Sequence, residues 1–143
     1  NRLMGVGLVY ISESHIVIQY FVDLDMNIEK IKNDLRKFAK ERDWEQFHSP
    51  KNLAMALSGE VGELAEIFQW LSEEQSNKEN ISNEDLSKVR EEVADILLYI
   101  IRLSDKLDID LDQAILDKLK INESKYPIEL SKGNSTKYNR RNE

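Results

Sequence analysis

Two pairs of acidic residues at helical i, i+3 spacing, Glu60 with Glu63 and Glu92 with Asp95, are the residues of this chain whose types and positions best fit catalysis. At about 100° per residue, Leu57, Val61, Leu64, Phe68 and Leu71 fall within roughly 80° of Leu53, and Glu60 lands about 20° to the other side of Leu53, inside the same stripe. Glu63 sits at its margin and Glu66 points away. An ionised carboxylate on a core-facing stripe is costly unless something pairs with it or binds it. On the later helix, Glu92, Asp95 and Tyr99 cluster within about 60° along one edge of an apolar face. If the two helices pack antiparallel, four carboxylates converge and repel one another. Hard divalent cations resolve that conflict, and ligation by oxygen alone points to Mg²⁺, with Mn²⁺ as the alternative. Mg²⁺ on a few carboxylates keeps coordination positions for phosphate oxygens, as phosphoryl chemistry requires. The competing reading is that the acids are exposed and paired with Lys88 or Arg90.

The elements that must position these groups are helices. Asn27 is placed to cap the first, with Met26 and Ile31 spaced as a hydrophobic staple and Ile28, Ile31, Leu35 and Phe38 as its buried stripe. It frays around Asp43 to Phe47. Ser49-Pro50 starts the second, with Pro at the first helical position, and this helix runs to about Leu71. A polar, exposed connection, SEEQSNKENIS, leads to a third helix capped by Ser82 or Asn83. Its stripe is broad: Leu86, Val89, Val93, Ile96, Leu97, Ile100, Ile101 and Leu107. Asp110, with Gln113 at the capping-box position, opens a fourth helix carrying Leu111, Ala114, Ile115, Leu119 and Ile121, which stops at Pro127. The expectation is an all-α, four-helix-bundle-like domain over residues 26–128, with 129–143 a polar, mobile tail.

Residues 1–25 differ in style. They are β-branched and aromatic with partial alternation, read as one or two short strands, and form an atypical N-terminal extension. They lack the basic start and cleavage site of a secretory signal. Met26 is a candidate natural start, the preceding residues then being an extension or a remnant. His15 reads as a strand residue rather than a ligand.

Composition bounds the function. The chain has 143 residues, 41% hydrophobic and 33% charged, which suits one largely helical domain with a real core. It has no cysteine, which excludes thiolate chemistry and a disulfide framework and makes the cytoplasm the default location. A net charge of −7 without a dense basic run argues against nucleic acid or an anionic membrane as a partner. No apolar run is long enough to span a bilayer. Between the first two helices, Trp44, Phe47 and His48 put two large aromatics and an imidazole into one short connection. They either plug the end of the helical core or form a platform on which a nucleobase stacks.

Glu60-x-x-Glu63 followed at a distance by Glu92-x-x-Asp95 resembles the signature of MazG-type nucleoside triphosphate pyrophosphohydrolases. Three blocks sharpen the resemblance: FAKERDWEQFHSPKNLAMALSGEVGELAEIFQW, EEVADILLYIIRLSD and KLKINESKYP. They are similar to the small dCTP pyrophosphatase branch and together cover roughly residues 28 to 127. The resemblance implies a Mg²⁺-dependent enzyme that cleaves a nucleoside triphosphate between the α and β phosphates, releasing monophosphate and pyrophosphate. It implies that Glu60, Glu63, Glu92 and Asp95 are the metal-holding, catalytic acids. It places Trp44, His48, Trp70 and Tyr99 in the base and sugar pocket, with Phe47 in the same loop, and Lys118 and Asn122 near the substrate on the fourth helix. Lys118 or Lys125 would hold the charge of the departing pyrophosphate. Some relatives carry a pocket His where this chain has Leu35, a departure that bears on base or sugar recognition and not on the metal. The resemblance also implies a homodimer or a homotetramer built as a dimer of dimers, with pockets shared between chains, and a house-cleaning role in the nucleotide pool.

Two other readings compete. A non-catalytic helical oligomerisation module would use the carboxylates only as surface charge. A di-iron carboxylate bundle needs Glu-x-x-His pairs, and no His follows Glu60 or Glu92 at that spacing.

Overall fold

The computed structural model describes residues 26–140, and the strands and His15 expected in residues 1–25 lie outside the described residues. What it describes is helical throughout: α1 (Ile28–Glu41), a 3₁₀ turn (Glu45–Phe47), α2 (Pro50–Phe68), α3 (Asn83–Lys106), α4 (Leu111–Lys125), the short α5 (Ile128–Ser131) and a 3₁₀ turn (Tyr138–Arg140). Each long helix begins where its capping residue falls. The side chains of Asn27, Ser49, Ser82 and Asp110 accept hydrogen bonds from the backbone N–H of Lys30, Asn52, Asp85 and Gln113, which satisfies donors the first turn leaves without partners. Helix α2 ends three residues before the expected Leu71, with Trp70 and Leu71 in the turn beyond it. The polar connection that follows is ordered by its own hydrogen bonds. Ser72 N–H donates to Gln75 Oε1 at 2.9 Å, Gln75 N–H returns to Ser72 Oγ at 3.2 Å, and Asn80 Nδ2 reaches the Glu74 carbonyl at 2.8 Å.

Helices α1 and α3 end alike. Asp43 and Asp108 adopt the left-handed conformation, with φ 54° and 52°. Trp44 N–H then reaches the Ala39 carbonyl at 2.8 Å and Asp43 N–H the Lys40 carbonyl at 3.1 Å; Ile109 and Asp108 repeat the pattern onto Ser104 and Asp105. This is the Schellman arrangement, built on Asp where Gly is usual. Its accompanying apolar contact is present at α1, where the Trp44 ring meets Phe38 edge-on at 5.8 Å.

Packing is centred on α3, against α2 most extensively and α1 second; α4 makes no comparable interface with any of them. Chain direction follows from two links. His48 meets Arg102, while Glu60 gathers with Glu92, so α2 and α3 run antiparallel. Among the described residues, the fully buried apolar side chains, Ala39, Leu53 and Ile101, come one each from α1, α2 and α3. Several residues expected in the core are instead well exposed in the single chain. Phe38 is 45% exposed, Val61 48%, Val93 49%, Ile115 55%, Leu119 54% and Ile121 46%. The reason is geometric: α3 carries a stripe broader than two helices can cover, and α4 lies away from the α1–α3 packing, with its apolar residues uncovered.

Replacement of Ile101 or Leu53 by Ala is expected to lower the free energy of unfolding by about 2–5 kcal/mol in urea titrations. A loss below about 1 kcal/mol would place the packing centre elsewhere.

Candidate active site

Helix α2 delivers Glu60 and Glu63 on successive turns of one face, and α3 delivers Glu92 opposite them. One carboxylate oxygen from each of the three lies within 4.8 Å of the others. Asp95 stands just outside that group, close enough that its charge acts on Glu60, Glu92 and Tyr99. Glu60 and Glu92 are half-buried, whereas Glu63 and Asp95 are exposed. Glu60 is thus where its position in the apolar stripe puts it. The proposed pairing with Lys88 does not form: Lys88 Nζ binds Glu84 at 2.7 Å, one turn earlier on its own helix. Among the described residues no ion pair involves any of the four acids.

The electrostatics follow from that isolation. Loss of hydration pushes the Glu60 carboxyl above the ordinary range, and the charges of Glu63 and Asp95 push it further the same way. Glu92 is raised by partial burial first and then by Glu63, Glu60 and Asp95. The Tyr99 hydroxyl is raised by burial and by Glu60 and Asp95, which places the phenol beside the cluster. Negative oxygens held together without a counter-charge, and with no nitrogen or sulfur donor among them, fit a hard divalent cation.

The other sequence-predicted residues fall in three places. Trp44, Phe47 and His48 lie in a segment that is tightly tied rather than frayed. Phe47 N–H and His48 N–H close the 3₁₀ turn onto the Trp44 and Glu45 carbonyls, and Asn52 Nδ2 holds the Phe47 carbonyl at 3.0 Å. Gln46 Nε2 binds both the Asp43 carbonyl and its carboxylate at 2.9 Å. The Trp44 and His48 rings meet edge-on at 6.4 Å, while Phe47 is 58% exposed. Trp70 is 85% exposed and follows the opposite end of α2. From Glu60 the helix start at Pro50 and the Trp70 turn are each about 15 Å away along α2, in opposite directions. The chain therefore brings the Trp44 loop and the acids onto one helix pair but does not bring Trp70 to that loop. Lys118, Asn122 and Lys125 share one face of α4, a helix outside the α2–α3 packing, and Lys125 lies over the Tyr138 ring at 4.8 Å.

Sequence reasoning passed over a second polar centre. Arg102, 4% exposed, donates to Glu45, to Asp105 Oδ2 at 2.9 Å and to His48 Nδ1 at 3.5 Å. Asp105 also receives the Arg36 guanidinium from α1, and Lys106 Nζ takes the second Glu45 oxygen at 2.6 Å. The Arg36 hydrogen bond, more than its charge, holds Asp105 below the usual carboxylate range, and Lys106 does the same for Glu45. Loss of hydration and the neighbouring Arg102 charge lower His48. The only local signal was a basic residue set among the apolar positions of IIRLSD.

The MazG-like family model matches residues 55–140, more than half of the chain. Over 111 residues, 78% of this chain, the sequence is 46% identical to dCTP pyrophosphatase 1 of Bos taurus and 43% identical to that of Homo sapiens. It spans 66% and 65% of the length of those two relatives, just under two thirds. A crystal structure of a pyrophosphatase from Archaeoglobus fulgidus superposes with a TM-score of 0.64 at 40% identity, over 70% of this chain and 92% of that one.

Because Glu60 and Glu92 hold protons more tightly when folded, their crowding destabilises the fold at neutral pH and is relieved as pH falls through the raised carboxylate range. A bound divalent cation would relieve the same crowding. Adding Mg²⁺ or Mn²⁺ at pH 7.5 is expected to raise the unfolding midpoint by about 5 °C. The gain should shrink as pH falls through the raised carboxylate range and vanish in Glu60→Gln. An unchanged midpoint would leave the cluster without a cation.

Proposed function

This chain belongs to the MazG-like family, and we propose that it is a Mg²⁺-dependent nucleoside triphosphate pyrophosphohydrolase acting on dCTP-like deoxynucleotides. The observation that carries this reading is the gathering of Glu60, Glu63 and Glu92 on two packed helices, with no ion pair to any of them among the described residues, inside the segment shared with the family. The names of the bovine and human relatives, and of the archaeal structure, support pyrophosphate release over other phosphoryl chemistry. The catalytic unit in this reading is residues 26–128. A cytoplasmic house-cleaning role in the nucleotide pool belongs to the same reading. Among the described residues no helix is long and apolar enough to cross a membrane.

When bound, Mg²⁺ neutralises the triphosphate, polarises the α-phosphorus and acidifies the attacking water. Glu60, Glu63 and Glu92, with Asp95 beside them, would hold and orient the ion. Glu63, the exposed member of the compact group, is also the candidate to position the attacking water. Attack at the α-phosphorus breaks the bond to its bridging oxygen, so that monophosphate and pyrophosphate part. Lys118 and Lys125 are the candidates to neutralise the departing pyrophosphate, and Asn122 contacts the substrate beside them. The nucleoside end lies toward Trp44, Phe47 and His48, a span along α2 comparable with an extended nucleotide, with Tyr99 between the loop and the acids.

A homodimer or a homotetramer built as a dimer of dimers completes the reading. Two observations favour it. The apolar residues of α4 and the outer side of α3 are uncovered in one chain. Trp70 and the Trp44 loop lie at opposite ends of α2, so both can face one base only if they come from different chains.

Incubation with a panel of dNTPs and NTPs, with Mg²⁺ or EDTA, is expected to yield monophosphate and pyrophosphate, with both EDTA and Glu60→Gln abolishing turnover. Diphosphate and phosphate would move attack to the terminal phosphorus; no turnover would favour a non-catalytic interaction module. Trp70→Ala should raise KM by about tenfold with little change in kcat, as loss of base stacking predicts. An unchanged KM would remove Trp70 from the pocket.

A further inference from the structure

The buried Arg102 centre has no part in holding a cation. From Glu92 to Arg102 is ten residues, or about 15 Å along α3, and its partners are Glu45, His48 and Asp105 rather than the acids. Nor is a buried charge the simplest way to stabilise this end of the core, since ion pairs of this kind are often replaceable by apolar side chains without loss of stability. What a guanidinium supplies that an apolar group does not is direction, from five donors in a rigid fork. Here the fork spans two elements. One branch grips Asp105, itself fixed by Arg36 of α1, and the others reach Glu45 and His48 at the two ends of the aromatic turn.

We propose that Arg102 is a positioning residue for nucleoside binding, which sets the orientation of the Trp44–His48 loop and the hydrogen-bonding polarity of the His48 ring. The proposal rests on the pyrophosphohydrolase reading and deepens it. A ring nitrogen that accepts a hydrogen bond carries no proton, so His48 Nδ1 facing Arg102 leaves the proton of the neutral ring on Nε2. The Nε2–H is then a donor, suited to a lone-pair acceptor on the base or sugar, such as a ring carbonyl oxygen. The carboxylates of Glu45 and Asp105, the Arg36 guanidinium on Asp105 and the ammonium of Lys106 complete the charged surroundings of the guanidinium. Outside them a groove of about 430 Å³, bordered by Lys37, Lys40 and Lys106, gives water access to the network, so a shortened side chain here can be hydrated.

The test compares Arg102→Met, Arg102→Lys and Glu45→Gln with Ile101→Val, a mild packing change at the adjacent residue, in steady-state kinetics on the preferred nucleotide. Arg102→Met and Glu45→Gln should raise KM about tenfold while kcat and the half-saturating Mg²⁺ concentration stay within about twofold. Arg102→Lys, keeping the charge but losing the fork, should raise KM by about threefold. Ile101→Val should leave KM unchanged. Nitrogen-15 NMR gives a readout independent of turnover, because the chain has only two histidines. His48 should titrate as a single Nε2–H tautomer in the unsubstituted chain and as a mixture in Arg102→Met. Unchanged KM in Arg102→Met, an equal KM rise in Ile101→Val, or the same His48 tautomer in both chains would overturn the proposal. If the unsubstituted chain turns over no nucleotide, the enzymatic reading fails first, and the NMR result still states whether Arg102 orients the ring.

Discussion

Holding three carboxylates within 4.8 Å of one another, with no positive side chain between them, is the constraint to which the rest of this structure answers. The acids oppose the contact that brings them together, because α2 and α3 must pack closely for the cluster to exist and the charges push the two helices apart. The chain secures the helix pair at its other end. There Leu53 and Ile101 are fully buried, Ala39 of α1 joins them, and the Arg102 network ties α1, α3 and the connecting turn. The fully buried side chains and the Arg102 ion pairs thus lie away from the acids, and the acid end stays partly exposed.

The local parts of this design were legible in the sequence, since local physics determines them. The i, i+3 spacing of Glu60 with Glu63 and Glu92 with Asp95, and the placement of Glu60 within an apolar stripe, follow from helical geometry alone. So do the caps at Asn27, Ser49 and Asp110, each of which meets a backbone N–H as its position requires. The Arg102 centre was not legible. Its contacts to Glu45 and His48 join residues more than fifty positions apart, and no periodicity reports a charge pairing made across the fold. Burial along α4 was misjudged for a related reason. An apolar stripe at Ile115 and Leu119 states that the face wants cover and does not state which surface provides it.

Lys88 shows how a plausible pairing is decided by distance. Its nearest acid is Glu84, one turn back on the same exposed face, and the contact requires almost no reach or ordering. Bridging to the cluster would have meant burying a strongly hydrated ammonium between half-buried acids. Glu60 and Glu92 are left without a cationic partner, and partial burial together with the neighbouring carboxylates raises the proton affinity of both.

The segment from Arg42 to Ser49 has one more consequence, and it concerns how such a protein diverges. Left-handed Asp43 closes α1, its carboxylate grips Gln46, the 3₁₀ turn follows at once, and Ser49 caps α2. More than half of the backbone N–H and carbonyl groups in the segment are committed to a helix end or to the turn, which leaves it little slack. An inserted or deleted residue would break the α1 closure or displace the α2 cap, whereas an exchanged side chain at Phe47 disturbs neither. In a lineage built on this scaffold, the loop would change by substitution at a fixed length.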